Sequence, residues 1–310
     1  MDKKYELIKY PSENLYRVKA LRDFGNIRKG MLGGYIRSEY NLSHEGGCWV
    51  YNDAKIYDNA RVYDNAQIYC GARIYENAQV FGNAKVDFVA KVHGNAKVYN
   101  NAQVCDYAKI YDNAQVYGDA IICDDAKVYK NAMAFDNATI FGNAKIFGNA
   151  RVYGEAETSG DTEIFENAEI YGEAGVRGDT RIYGNARVRG NTRIYDNVKV
   201  FGNAQVYGNA LIYGDTKIYN IAEIYGNVTI REGNHLGRIE EEFKNILYIQ
   251  CKNRLITVYR DINNIIKCNI GCKTRLTLED LIKRIEEDGG MTKHREEYVK
   301  IMQNAHLLLG

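Results

Sequence analysis

A single proline stands in 310 residues, so this chain cannot reverse direction by leaning on the ring-fixed φ that starts many tight turns. Tryptophan is as scarce, at one residue. No stretch stays apolar long enough to span a bilayer, and the opening MDKKYELIKY lacks the hydrophobic run of a signal peptide. Charge of one sign is missing too. With 41 basic and 40 acidic residues the formal net charge is +1, which offers no field to gather nucleic acid or an anionic membrane. Between Val50 and Arg231 there are 19 Lys/Arg against 22 Asp/Glu, and the expectation is that no basic stripe is hidden there. The seven cysteines are scattered, only Cys268 and Cys272 lying close, with no histidine pair beside them. That pattern argues against a metal site and for reduced thiols in a cytoplasmic protein.

What the chain does have is tyrosine, 26 residues against nine phenylalanines, and a repeat. From Ala54 to Ala210 every sixth residue is Ala or Thr, Val198 excepted, and the row continues through Thr216 and Ala222 to Val228. These are 30 repeats without an insertion or deletion. Two residues after each small one comes Val or Ile, from Val50 to Ile230, broken only at Ala134 and Thr158. The consensus is Ala-x-(Val/Ile)-(Tyr/Phe)-(Gly/Asp)-Asn. Physically, small-x-aliphatic-aromatic is a short strand with its first and third residues on one face. The Gly/Asp-Asn pair is a turn, and the final position, which is Asn, Asp or Gly in 25 of 30 repeats, is the natural place for a positive φ. Strands this short cannot bury an apolar face alone, so they must coil and stack.

The irregularities fix the coil. At three repeats per coil, residues 18 apart lie above one another. The non-consensus corners Gly71, Val89 and Tyr107 then form one column, and Cys105 falls on Cys123. Six of the eight non-aromatic residues in the aromatic row (Asp87, Cys105, Cys123, Ser159, Arg177 and Arg231) fall on one face. Two repeats per coil would split the eight evenly. The sequence therefore predicts a mainly β fold, a parallel β-helix of three hexads and 18 residues per coil, with about ten coils. It assigns 1–49 to an N-terminal capping module, 50–231 to the helix and 232–310 to a small C-terminal α+β domain. In the first part Leu15–Leu21 reads as a strand and the Gly-rich stretch to Gly47 as tight turns. In the last, Asn245–Cys251, Arg254–Arg260 and Ile265–Ile270 read as strands. Thr277 with Asp280 forms a capping box for a helix to about Asp288, and a final helix starts at Thr292.

The hexad resembles that of left-handed parallel β-helix proteins, the class that includes the hexapeptide acyltransferases. More specifically, Asp23-Phe24-Gly25, Gly30, Gly33-Gly34-Tyr35-Ile36, Asn41-Leu42-Ser43 and Gly47-Cys48-Trp49-Val50-Tyr51 resemble the opening module of YdcK-type β-solenoid proteins. That likeness, which covers about residues 16–231, implies the left hand of the helix and a bacterial or prophage source. Such proteins are often labelled polymer-forming by analogy.

Candidate chemistry is sparse. The acyltransferase resemblance implies a histidine base and loops that shape an acceptor pocket, whereas the repeats hold one histidine, His93, and no extruded loop. His93 sits in an aromatic slot among Tyr57, Tyr75, Tyr111 and Tyr129, where it reads as a ring replacing a ring. The outward aromatic row reads as sheet stabilisation, a protein-contact surface or a stacking site for sugars or bases. Asp87, Phe88, Val89, Cys105, Tyr107 and Cys123 mark a face where consecutive coils lose the consensus together, either a binding spot or drift within the array; Cys105 and Cys123 are expected as free thiols. No catalytic residue, cofactor or metal is assigned. The expected function is a non-enzymatic scaffold or interaction rod for protein partners, including a second copy of itself, without membrane or strong nucleic-acid affinity. The alternatives are a phage counter-defence protein that docks on a host complex and a hexapeptide-type acyltransferase.

Overall fold

The structure, a computed structural model, describes residues 3–9, 14–219, 222–227, 229–230, 243–251, 254–261, 266–270, 273–277, 279–280 and 283. They divide into two compact units, Met1–Gly172 and Glu173–Gly310. In the first unit the repeats wind as a parallel β-solenoid with three walls. The first wall stacks Lys55–Ile56, Arg73–Ile74, Lys91–Val92, Lys109–Ile110, Lys127–Val128, Lys145–Ile146 and Glu163–Ile164. The second runs from Trp49–Val50 to Glu157–Thr158, and the third from Arg61–Val62 to Glu169–Ile170. Register pairs such as Lys91↔Lys109 and Val98↔Val116 are separated by 18 residues, as the irregularities required.

Each hexad position has one physical task. The Ala row and the Val/Ile row are inside, nearly all with no exposed surface, so each Ile or Val adds about 1.5–3 kcal/mol of burial. Thr is tolerated in the Ala row because its hydroxyl donates to the carbonyl three residues back: Thr162 to Ser159 at 2.7 Å, Thr192 to Arg189 at 2.7 Å and Thr216 to Tyr213 at 3.0 Å. A buried hydroxyl with such a partner costs little. Thr158, in the aliphatic row, is buried with no partner for its Oγ1 among the described residues.

The corners correct the sequence expectation. The positive φ falls on the fifth residue of the hexad and not on the final Asn. Every described residue at that position from Asn52 to Gly226 has it, including Glu76 (+57°), Phe88 (+55°) and Lys130 (+58°). Glycine suits the slot because an added Cβ would strike the corner one coil on, as at Gly94, where it would come within 2.6 Å of the Asp112 amide nitrogen. Aspartate suits it for a second reason: its carboxylate accepts the amide of the next corner, as Asp64 does from Gly82 (3.1 Å) and Asp124 from Gly142 (2.9 Å). The final Asn is selected for a ladder instead. Asn59, Asn77, Asn95, Asn113, Asn131 and Asn149 pass side-chain hydrogen bonds of 3.1–3.2 Å from coil to coil, the arrangement that identical amides favour when stacked in register.

The N-terminal module begins with β1 (Tyr5–Lys9) and β2 (Tyr16–Ala20), which pair antiparallel; β2 then pairs antiparallel with β3 (Leu32–Ile36). The Gly-rich stretch is thus not only turns. β3 is the first strand of the first wall and pairs parallel with Lys55–Ile56, so the solenoid starts before Val50. The pairs Ile36↔Ile56 and Leu42↔Val62 are 20 apart, whereas Val50↔Ile68 is 18 apart. Two extra residues between Leu42 and Trp49 hid this coil from the six-residue period. They form a loop whose carbonyls at Glu45, Gly46 and Cys48 accept hydrogen bonds from Lys4 Nζ at 3.3, 3.4 and 3.0 Å. Lys4 has no exposed surface and its ammonium is 3.2 Å from Cys48 Sγ. Burial pulls the lysine pKa down and pushes the Cys48 thiol up. Tyr5, Trp49 and Leu42 complete the plug.

In the second unit the repeats again form three walls, Arg181–Ile182 to Lys217–Ile218, Gly175–Val176 to Thr229–Ile230, and Arg187–Val188 to Glu223–Ile224. Phe243–Cys251 pairs parallel with Glu223–Ile224 and opens an antiparallel sheet with Arg254–Asp261, Ile266–Ile270 and a fourth strand, Lys273–Leu276, which the sequence did not suggest. The Thr277 hydroxyl accepts the Asp280 amide (3.1 Å) and Asp280 accepts the Thr277 amide (2.9 Å), so both halves of the capping box are formed. The body of the helix expected to Asp288 lies mostly outside the described residues, and the one from Thr292 lies wholly outside them.

Candidate functional site

Outward side chains follow from strand parity. If Ala54 and Ile56 face in, Lys55 and Tyr57 face out, and the 18-residue register turns each outward position into a column. On the first wall of the first unit, Tyr57, Tyr75, His93, Tyr111, Tyr129, Phe147 and Phe165 stack with ring centroids 4.6–5.2 Å apart. The third wall stacks Tyr63, Phe81, Tyr99, Tyr117, Phe135, Tyr153 and Tyr171 at 4.8–4.9 Å. Rings this close use both faces on each other, so an interior rung offers a visitor only its edge and hydroxyl. His93 lies between Tyr75 and Tyr111, with Nδ1 3.5 Å from Glu76, whose carboxylate also accepts the Gly94 amide at 2.6 Å. It is placed as a rung. Burial raises the pKa of Tyr75, Tyr111 and Tyr129 alike, that of Tyr111 to about 12.

The irregular face forms a coherent patch. Phe88 is 55% exposed and Tyr107 62%. Val89 and Tyr107 occupy the same corner on successive coils, with the Val89 amide bonded to the Asp106 carbonyl. Asp87 folds back to accept the Phe88 amide at 2.6 Å. Cys105 and Cys123 are joined in a disulfide with a Cα–Cα distance of 4.7 Å, which overturns the expectation of free thiols. Parallel in-register stacking puts position n over n minus 18, and that separation is within disulfide reach. The two sulfurs and Asp106 also form the one convergent group of metal-ligand types among the described residues, but the disulfide consumes both thiolates.

The structure also reveals a column that the charge count concealed. Lys55, Arg73, Lys91, Lys109, Lys127 and Lys145 are consecutive register partners on the first wall, beside the rings of Tyr57 to Phe147. The equivalent positions of the third wall are Arg61, Gln79, Lys97, Gln115, Met133 and Arg151, and those of the second are mostly neutral. A basic stripe therefore exists, contrary to expectation; the balancing carboxylates sit in the corners, where several accept backbone amides. Lys145 pairs with Glu163 at 3.0 Å. Arg73, Lys91, Lys109 and Lys127 have no carboxylate within 4.0 Å among the described residues. Like charges directly opposite each other on neighbouring strands oppose folding, so this column, unlike the Asn and Tyr ladders, does not stabilise the coil that carries it. Its only sequence signal was a period of 18 in one charge type.

Val89-Ala90-Lys91-Val92-His93 and Tyr107-Ala108-Lys109-Ile110-Tyr111 each run from the apolar corner through the cation column to the ring ladder. The sequence candidates thus lie on one corner and on the first and second walls that meet there. No helix among the described residues is long and apolar enough to cross a membrane. A family model described as the YdcK beta solenoid repeat matches residues 54–69, 181–196 and 204–220. No curated protein matches the chain.

Proposed function

Because this chain is a YdcK-type β-solenoid repeat protein, whose interior is filled by its own side chains, we propose that it acts through its outer surface as a non-enzymatic interaction module. The docking surface is the corner at Phe88, Val89 and Tyr107 together with the adjoining Lys91 and Lys109. One observation supports this above the rest: large apolar side chains occupy corners that elsewhere mostly carry Gly, Asp and Asn, directly beside cations that have no carboxylate within 4.0 Å among the described residues. Exposed apolar area rimmed by charge is the usual anatomy of a protein contact. The complementary partner is a protein surface with an apolar knob flanked by carboxylates.

The test restores the consensus. Phe88→Gly, Val89→Asn and Tyr107→Asn put the common residues back into a fold that already accepts them at neighbouring corners, so the coil is retained. Light scattering and quantitative co-purification from the native host would compare this variant with the wild type and with Lys91→Glu/Lys109→Glu. Selective loss of one partner, or of self-association, in both variants supports the reading. An unchanged partner set and mass in both would end it.

A further inference from the structure

Ring ladders close off their own faces except where they start, and the first-wall ladder starts in a cleft. A cavity of about 390 Å³ is lined by Asn14, Leu15, Arg37, Lys55, Tyr57 and Arg73. Tyr57 is the first rung. Its ring stacks on Tyr75 at 5.2 Å, its one ring neighbour among the described residues. The pairing of Ile36 with Ile56 puts Arg37, and not another aromatic residue, in the position preceding Tyr57 in that column. The Arg37 guanidinium turns toward Asp58, 3.5 Å away. One face of a half-buried tyrosine ring is therefore left without a stacked ring, at the wall of a cleft.

Cations dominate the described lining of the cleft. Of its six described lining residues three are cations and none is a carboxylate, and Lys55 already has a partner of its own. Lys55 and Arg73 are register partners on successive coils, and Arg37 enters from the coil before. Asp58 takes part of Arg37, while Arg73 has no carboxylate within 4.0 Å among the described residues. Leu15, 8% exposed, supplies an apolar edge from β2's approach to the wall. The volume is within the range of small-ligand sites, about 300–1,000 Å³. Guanidinium groups present paired donors that match phosphate oxygens.

We propose that this cleft is a binding site for a flat ring that carries a phosphate, of nucleoside-monophosphate size. The ring continues the ladder by stacking on the face of Tyr57 that no other ring covers, and the phosphate sits on Arg73 with Arg37 beside it. Interior rungs cannot act this way, because both their faces are taken. The site is independent of the docking corner at Phe88 and Tyr107, which it does not share, so either can fail alone.

The probes are adenosine 5′-monophosphate, adenosine and inorganic phosphate, titrated calorimetrically into the full chain. Adenosine monophosphate should bind saturably and more tightly than either fragment. Arg73→Gln and Tyr57→Leu should each weaken it by about tenfold, the scale of one charge-assisted contact or one base stack. Tyr57→Phe, which keeps the ring, and Tyr117→Leu, an interior rung of the third wall, should bind as the wild type does. If Tyr57→Leu melts early in circular dichroism, Arg73→Gln and Tyr57→Phe decide the matter. No saturable binding at millimolar nucleotide would overturn the proposal. So would affinity no better than that of phosphate alone, or an equal loss in Tyr117→Leu.

Discussion

Ile110 and Ile121 are the sharpest pair on which to test the winding. They are 11 residues apart in similar two-residue strands, yet Ile110 has no exposed surface and Ile121 is 36% exposed. Ile110→Ala removes three carbons from the interior. At about 0.8 kcal/mol per carbon the transfer loss is about 2.4 kcal/mol. The cavity left behind adds to this, and the total should reach about 3 kcal/mol, within the range of about 2–5 kcal/mol for such truncations. Ala134 already occupies the same row, fully buried, so the row accepts a small residue, which keeps the estimate toward the lower end. Ile121→Ala, on the outside, should cost less than about 0.5 kcal/mol. Stacked repeats unfold locally as well as globally, so the suitable assay is native-state hydrogen exchange read coil by coil, supported by urea unfolding. Protection should fall at the coils holding Ile110 and their neighbours and stay level for Ile121→Ala. Losses equal within about 0.5 kcal/mol would refute the assignment of inside and outside on which every column depends.

Thr158→Val swaps a buried hydroxyl without a described partner for the consensus residue of nearly the same shape, and should raise stability by about 1–2 kcal/mol in urea unfolding. Lys130→Gly relieves a φ of +58° and should gain about 0.5–1 kcal/mol, whereas Gly94→Lys, whose Cβ would meet the Asp112 amide at 2.6 Å, should lose about 1–3 kcal/mol, both read from thermal melts. Alkali should loosen the ladders. The folded pKa of Tyr51 and of Tyr111 is raised from 10.0 to about 12, first by burial, so their contribution is complete below pH 10 and is lost as pH rises from 10 through 12. Tyrosinate absorbance should develop together with loss of the β-sheet circular dichroism signal, and ionisation near pH 10 with the sheet intact would contradict the stacking geometry.

How far the fold was legible follows from how a periodic chain encodes itself. Ala54, Ile56 and Tyr57 announce a strand face, and the column of Gly71, Val89 and Tyr107 announces the winding number, because errors in a repeat are as periodic as the repeat. The opening coil at β3 was missed because two extra residues after Leu42 break the period at the place where Lys4 plugs the end. The fourth C-terminal strand, Lys273–Leu276, carries no alternation long enough to announce itself. The position of the left-handed corner was misread by one residue. Gly, Asp and Asn are all turn formers, and composition alone does not separate a residue that bends the backbone from one that bonds to its copy 18 positions on.

The candidate surface divides the same way. Sequence determined the period, the inward rows and the identity of the irregular residues, since those depend on spacing along the chain. Only the folded coil decided that Cys105 and Cys123 share a disulfide, that six cations among evenly mixed charges form one column, and that Tyr57 begins its ladder in a cleft while Tyr111 is enclosed within one. Those are statements about distance, and winding brings residue n to residue n plus 18 across about one strand spacing, a neighbour that a charge count has no means of weighting above any other.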